Sequence, residues 1–143
     1  MHVTLRDAER LVGRPHIDGV ADCGHLVVDT QRLLFNREVD LPLQHPQGRR
    51  GQAALIGRLS AVLVQRVDVP ATGDVGLYIE DDDDGGWHFH LGTIFVQGGE
   101  RWLLHSHATT GASILQREAD ALRLGLRVEG HYRWSEFNAQ EAV

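Results

Sequence analysis

The chain has a single cysteine, no long apolar run and no excess of positive charge. One cysteine in 143 residues excludes an internal disulfide, so Cys23 serves either packing or chemistry. No stretch approaches the ~18 apolar residues of a membrane span, and the first residues lack the layout of a secretory signal. A net charge of −6 with scattered arginines argues against a nucleic-acid partner. We therefore expect no transmembrane segment and synthesis in a cytoplasm.

The bulk composition is that of a globular protein. Hydrophobic residues make up 42% of the chain and charged residues 24%, values typical of soluble domains. The length suits one core, so we expect a single domain over residues 1–143.

The first half of the sequence has helical periodicity and the second half has strands. Three helices are predicted: one opening at a capping box that starts at Thr4, one from Cys23 to about Asn36, and one over residues 52–66. Strands are predicted over residues 75–79, 87–96, 102–107 and 128–134, with a hairpin turn at residues 97–100, a loop at 80–84 and a variable segment at 108–127. This order predicts an α+β fold in which N-terminal helices pack on a C-terminal antiparallel sheet.

Cys23 begins the second predicted helix, where a thiol has two possible roles. The positive end of the helix dipole and the unpaired backbone N–H groups favour the thiolate, and those groups could also stabilise an oxyanion. Cys23 shares a helix face with Leu26, Val27 and Thr30, however, so it also fits a buried packing position. The spacing leaves both roles open.

Two histidine pairs lie on predicted strands. His88 and His90 are two residues apart, as are His105 and His107, so each pair points to one side of its strand. One imidazole near Cys23 could act as a base while another orients it. Zinc bound by histidines and Cys23 is the alternative, but no tight metal-ligand spacing is present, and no metal or other cofactor is expected. Spacing does not choose within either pair.

Several short motifs follow one another from about residue 5 to residue 134. They are Gly13-Arg14-Pro15-His16, Asp22-Cys23-Gly24-His25-Leu26-Val27, Leu41-Pro42, Gly73-Asp74-Val75, His90-Leu91-Gly92-Thr93-Ile94-Phe95, Leu103-Leu104-His105-Ser106 and Gly130-His131-Tyr132-Arg133-Trp134. In this order they resemble the NlpC-type cell-wall peptidases, whose motifs read Gly-x-Pro-Tyr, Asp-Cys-Ser-Gly-Leu-Val, Leu-Pro, Gly-Asp-Leu, His-Val-Gly-Ile-Tyr, Phe-Ile-His-Ala and Gly-Tyr-Arg-Arg.

The resemblance implies a papain-like fold and a cysteine peptidase that cleaves peptidoglycan stem peptides, often between D-Glu and diaminopimelate. Matched position by position, Cys23 is the nucleophile, His90 the base and His105 the third, orienting residue. The mechanism would pass through a thioester that water releases. A longer turn between the two histidine strands leaves His107 as an alternative to His105.

The chain departs from the family pattern beside the nucleophile. Gly24 and His25 stand where the family has Ser-Gly, and His16 stands where it has a tyrosine. With Asp22, these residues are expected to line the site or to supply oxyanion donors.

The size and the residues after His105 further resemble the branch that phages and prophages carry at the tail. That implies a virion-tail location, with stem peptides and other tail-tip proteins as partners. The alternative is a structural tail-tip protein that keeps the fold with little or no activity. Acyl transfer ranks third, because in the acyltransferases of this fold class the histidine strand precedes the cysteine.

Overall fold

The computed structural model describes residues 2–39, 41 and 64–134 of the chain. The helices in these residues are α1 (Leu5–Glu9), α2 (Cys23–Phe35) and α3 (Glu118–Arg123). The strands are β1 (Val64–Val67), β2 (Val75–Asp81), β3 (Trp87–Gln97), β4 (Glu100–His107), β5 (Ala112–Arg117) and β6 (Arg127–Trp134). The predicted α+β class with an antiparallel sheet is confirmed. No helix in the described part of the chain is long and apolar enough to span a bilayer.

The strands form one antiparallel sheet in the order β1-β6-β2-β3-β4-β5. Strand β3 pairs with β2 along residues 87–93, but its pairing with β4 stops at Thr93 opposite Leu104. Past that point, among the described residues, β3 pairs with β2 alone and β4 pairs with β5 alone. The backbone pairing of β3 with β4 therefore ends at Thr93 and Leu104, and we call the unpaired stretch beyond it the β3–β4 gap.

The two faces of the sheet pack against different helices. On one face, Leu104 and Phe95 pack with Leu26 of α2 and Ala8 of α1. The opposite face carries a second apolar cluster, formed by Tyr78, Ile94, Leu103, Ala121 and Leu126. Because side chains alternate along a strand, Leu91 lies on the α2 face and His90 lies on the α3 face.

Local signals account for α1, α2 and the hairpin. Thr4 and Asp7 form the predicted capping box of α1. Asp22 caps the start of α2, and Asn36 ends it in the left-handed conformation. Gly98 and Gly99 have φ values of 61° and 78°, as the two-residue turn between β3 and β4 requires.

Two sequence predictions were wrong. Residues 64–66 belong to strand β1 rather than to the end of a third helix, because they pair with Arg133, Trp134 and Tyr132 of β6; the remaining predicted helical residues, 52–63, lie outside the described residues. The variable segment 108–127, for which no element was predicted, contains β5 and α3. Glu80 and Asp81 likewise extend β2 rather than starting the acidic loop.

Candidate active site at the β3–β4 gap

Cys23 occupies the first position of α2, where Asp22 fixes the start of the helix. The Asp22 carboxylate accepts the His25 backbone N–H at 3.2 Å and the Gly19 N–H at 2.9 Å. It also accepts the His25 Nδ1–H at 2.7 Å. The loop and the first helical turn are thus tied to one buried carboxylate, which sets the direction of the Cys23 side chain.

The Cys23 thiol lies at the β3–β4 gap. Ile94 directs its backbone N–H and C=O toward Asp74 and Gly73, on the β2 side. Alternate residues of a strand point their backbone groups in opposite directions, so the N–H of Leu91 points toward β4. No residue of β4 pairs with it among the described residues, and it lies close enough to the Cys23 sulfur to favour the thiolate. The sulfur therefore approaches the edge of β3 one residue after His90.

Burial decides the protonation of this thiol. Cys23 is 7% exposed and belongs to an apolar cluster with Val27, Leu77 and Leu91. Burial, with a smaller contribution from the Asp22 carboxylate, raises the pKa of Cys23 to about 11, although backbone N–H groups oppose the shift. The sequence left a stabilised thiolate and a packing thiol both open; in the free protein the thiol is uncharged, because desolvation outweighs the helix N-terminus. The packing role predicted as the alternative is present in the structure.

His90 and His105 form a buried pair on the α3 face of the gap. They are 4% and 3% exposed, and His90 Nε2 lies 2.7 Å from His105 Nδ1. The second nitrogen of His105, Nε2, lies 2.7 Å from Oε1 of Gln116 on β5. The structure thus joins one histidine from each strand, the two that the family resemblance selected, in a chain His90–His105–Gln116.

Both rings of this pair are neutral at neutral pH. Burial, followed by the neighbouring His105, lowers the pKa of His90 well below its ordinary value. Burial also lowers the pKa of His105. A neutral imidazole has a lone pair that can accept a proton, so His90 has the protonation state that a general base needs.

The other two histidines form a separate cluster around Glu80. The His107 Nε2–H donates to Glu80 Oε2 at 2.6 Å, and the His88 Nε2 lies 2.9 Å from Glu80 Oε1. The His107 ring stacks edge-on against His90, 5.3 Å away between centroids. His107 therefore borders the site, while His105 is the hydrogen-bond partner of His90.

The residues that depart from the family pattern lie on the α2 side of the gap. His16 Nδ1 lies 2.7 Å from the Ser106 hydroxyl oxygen, and its Nε2 lies 2.9 Å from Asp18. Ser106 directly follows His105, so His16 ties the loop before α2 to β4. The Gly24 backbone N–H, in the first turn, favours the ionised form of the Cys23 thiol.

Sequence reasoning missed Gln116 and the Leu91 amide. Gln116 lies in the variable segment for which no strand was predicted, so nothing placed it beside His105. A turn glycine, Gly111, followed by Ile114 and Leu115 is the signal of a short strand that could have found it. The Leu91 amide can face the thiol only because the β3–β4 pairing ends before it. No local sequence pattern predicts where that pairing ends.

Within the described residues, no group of three or more His, Cys, Asp or Glu side chains is arranged to hold a metal ion. Comparison of the chain with protein-family models, curated proteins and solved structures gave no match.

Proposed function

We propose that this protein is a papain-like cysteine endopeptidase that cleaves the stem peptides of peptidoglycan at the tail of a phage or prophage. The observation that supports it most is the arrangement at the β3–β4 gap. A thiol at the start of a helix touches the backbone of the strand residue that follows His90. That histidine begins a buried His–His–Gln chain.

In the proposed reaction, the neutral Cys23 thiol passes its proton to His90 as the sulfur attacks the scissile carbonyl carbon. The pKa of the thiol, about 11, means that proton transfer accompanies attack rather than preceding it. The developing oxyanion is stabilised by backbone N–H groups of the first turn of α2.

The second half of the proposed reaction returns the enzyme to its starting state. His90 gives the proton to the leaving amine, the C–N bond breaks, and a thioester forms on Cys23. His90 then takes a proton from water, the resulting hydroxide attacks the thioester carbonyl, and the carboxylic acid leaves as the thiol regains its proton. His105 holds the His90 ring throughout.

The choice of substrate class and location rests on the resemblance of the ordered motifs to NlpC-type peptidases and to their tail-associated branch. The His90 and Cys23 motifs are far apart in the sequence, and the thiol lies close to the backbone of Leu91, the residue that follows His90. A stem peptide would place its scissile amide across the β3–β4 gap.

A structural tail-tip protein of the same fold is the second candidate. It is favoured by the low exposure of the thiol, 7%, and by its raised pKa, about 11. Both are properties of a packing cysteine. This candidate differs from the first in one outcome: it releases no peptide from cell walls.

Digestion of purified sacculi separates the two candidates. Wild type, Cys23→Ala, His90→Gln and His88→Gln are incubated with sacculi, and released peptides are identified by mass spectrometry. His88 is the matched control because it lies two residues from His90 on the same strand, with a side chain 40% exposed. Circular dichroism establishes that each variant is folded.

The peptidase proposal predicts stem-peptide fragments from wild type and from His88→Gln. It predicts a loss of at least about 100-fold in Cys23→Ala and in His90→Gln, the range typical of a missing nucleophile or base. Folded wild-type protein that releases nothing supports the structural candidate. Equal release by Cys23→Ala contradicts the proposed nucleophile.

A further inference from the structure

We propose that Gln116 is a positioning residue that sets which nitrogen of His90 is free to act as the base. The inference rests on the proposed function for its catalytic meaning, since a base matters only if Cys23 is a nucleophile. The tautomer itself is a property of the protein in any case. No sequence motif pointed to Gln116.

The hydrogen-bonded series His90–His105–Gln116 holds a fixed number of protons. Both rings are neutral, so each carries one N–H. The 2.7 Å contact between His90 Nε2 and His105 Nδ1 holds one proton, which belongs to one ring or the other. The contact alone does not decide the donor.

Gln116 decides it. Its amide oxygen, Oε1, faces His105 Nε2 at 2.7 Å, and a carbonyl oxygen can only accept. His105 therefore carries its proton on Nε2 and has a lone pair on Nδ1. That lone pair accepts the Nε2–H of His90, which leaves the Nδ1 of His90 unprotonated.

The reverse arrangement would disable the base. A donor at position 116 would put the His105 proton on Nδ1, which would then donate to His90 Nε2. His90 would carry its own proton on Nδ1 and would have no lone pair to offer the thiol. The catalytic state of His90 thus depends on a side chain two strands away, on β5.

The position of Gln116 fits this role. Gln116, on β5, lies opposite Leu103 of β4. Residues directly opposite each other on paired strands lie on the same face of the sheet. Gln116 and His105 therefore lie on the α3 face, where the amide reaches the ring from the side away from His90. The two rings can take the reverse tautomers with all hydrogen bonds kept only if the Gln116 amide turns over and presents its NH2 group to His105.

Nitrogen-15 NMR of histidine side chains tests the inference directly, since the two tautomers give different long-range 15N–1H correlation patterns. Spectra at pH 7 are compared for wild type, Gln116→Glu, which can only accept, and Gln116→Met, which has neither strong donor nor strong acceptor. His90→Gln and His105→Gln spectra assign the two rings by subtraction.

The expected result is the Nε2–H tautomer for both rings in wild type and in Gln116→Glu. In Gln116→Met, at least one ring should show a population of the Nδ1–H form. A wild-type His90 protonated on Nδ1 overturns the inference, and this result does not depend on any variant at position 116. A folded Gln116→Met protein with unchanged tautomers overturns it as well.

Peptide release from sacculi separates this inference from the proposed function. If both hold, Gln116→Met lowers kcat about 10-fold with little change in KM, while Gln116→Glu keeps most of the activity. A wild type that is inactive but shows the expected tautomers contradicts the peptidase and leaves the role of Gln116 in setting the tautomer intact. An active wild type with Nδ1–H on His90 supports the peptidase and contradicts the role of Gln116 in setting the tautomer.

Discussion

Burial and helix position act in opposite directions on the Cys23 thiol. Backbone N–H groups of Leu91, Gly24 and Cys23 itself favour the thiolate, yet burial raises the pKa to about 11. The protein therefore holds both the Cys23 thiol and the His90 imidazole in their uncharged forms. Reactivity in such a pair depends on the substrate bringing its carbonyl to the sulfur, because neither group is charged in advance.

The shifted thiol makes stability depend on alkaline pH. The ordinary pKa of the thiol, 9.0, describes the unfolded chain, and the folded pKa is about 11. Below pH 9 the thiol is protonated in both the folded and the unfolded state, and its contribution to the free energy of unfolding is fully present. Between pH 9 and 11 only the unfolded state loses the proton, so ionisation favours unfolding. We expect the free energy of unfolding of wild type to fall by about 3 kcal/mol across this window relative to Cys23→Ala.

Urea unfolding of both proteins at several pH values checks this expectation. The composition leaves few other groups that titrate between pH 9 and 11. The chain contains no lysine and two tyrosines; burial raises the pKa of Tyr132 to about 12 and that of Tyr78 well above its usual value. The tyrosines contribute equally to both proteins and cancel. A wild-type minus Cys23→Ala difference that stays constant from pH 8 to 11 would show that the thiol is not shifted.

Among the elements, those with local signals could be predicted and those set by distant pairing could not. The start of α2 follows from Asp22 as its cap, and the β3–β4 hairpin follows from Gly98 and Gly99. Strand β1 depends on pairing with β6, far along the chain. Its first three residues, 64–66, were therefore predicted as the end of a helix. Tertiary pairing overrode local periodicity there.

Helix α3 begins at a buried carboxylate that joins three elements. Glu118 is 5% exposed; its Oε2 accepts the Tyr78 hydroxyl of β2 at 2.6 Å and the His131 Nε2–H of β6 at 2.7 Å. Glu118→Ala leaves both donors buried without this acceptor. We expect a loss of about 2–4 kcal/mol in the free energy of unfolding, measured by urea titration.

Asp120→Asn provides the matched control on the same helix. Its carboxylate binds Arg117 and Arg123 at the surface, where ion pairs contribute little. We expect this change to cost less than about 1 kcal/mol. Equal losses from the two substitutions would mean that the Glu118 network does not anchor α3.

At the scale of the whole molecule, the candidate site lies where the backbone pairing between β3 and β4 ends. Cys23 comes to the gap from the α2 face, and His90 and His105 lie on the α3 face. The sequence predicted the α+β class, the position of Cys23 and the two histidine pairs. It could not predict the sign of the thiol pKa or the role of Gln116, because desolvation and side-chain contacts exist only in the assembled fold.

In the proposed reaction, Cys23 attacks a stem-peptide carbonyl with His90 as its base. The most direct measurement uses a stem-peptide analogue with a chloromethyl ketone in place of the scissile amide, which forms a thioether with loss of chloride. Intact-protein mass spectrometry follows the rate for wild type, His90→Gln and His88→Gln. The account predicts one adduct on Cys23, at similar rates in wild type and His88→Gln and at least about 10-fold more slowly in His90→Gln. Equal rates in wild type and His90→Gln, or an adduct on another residue, would contradict it.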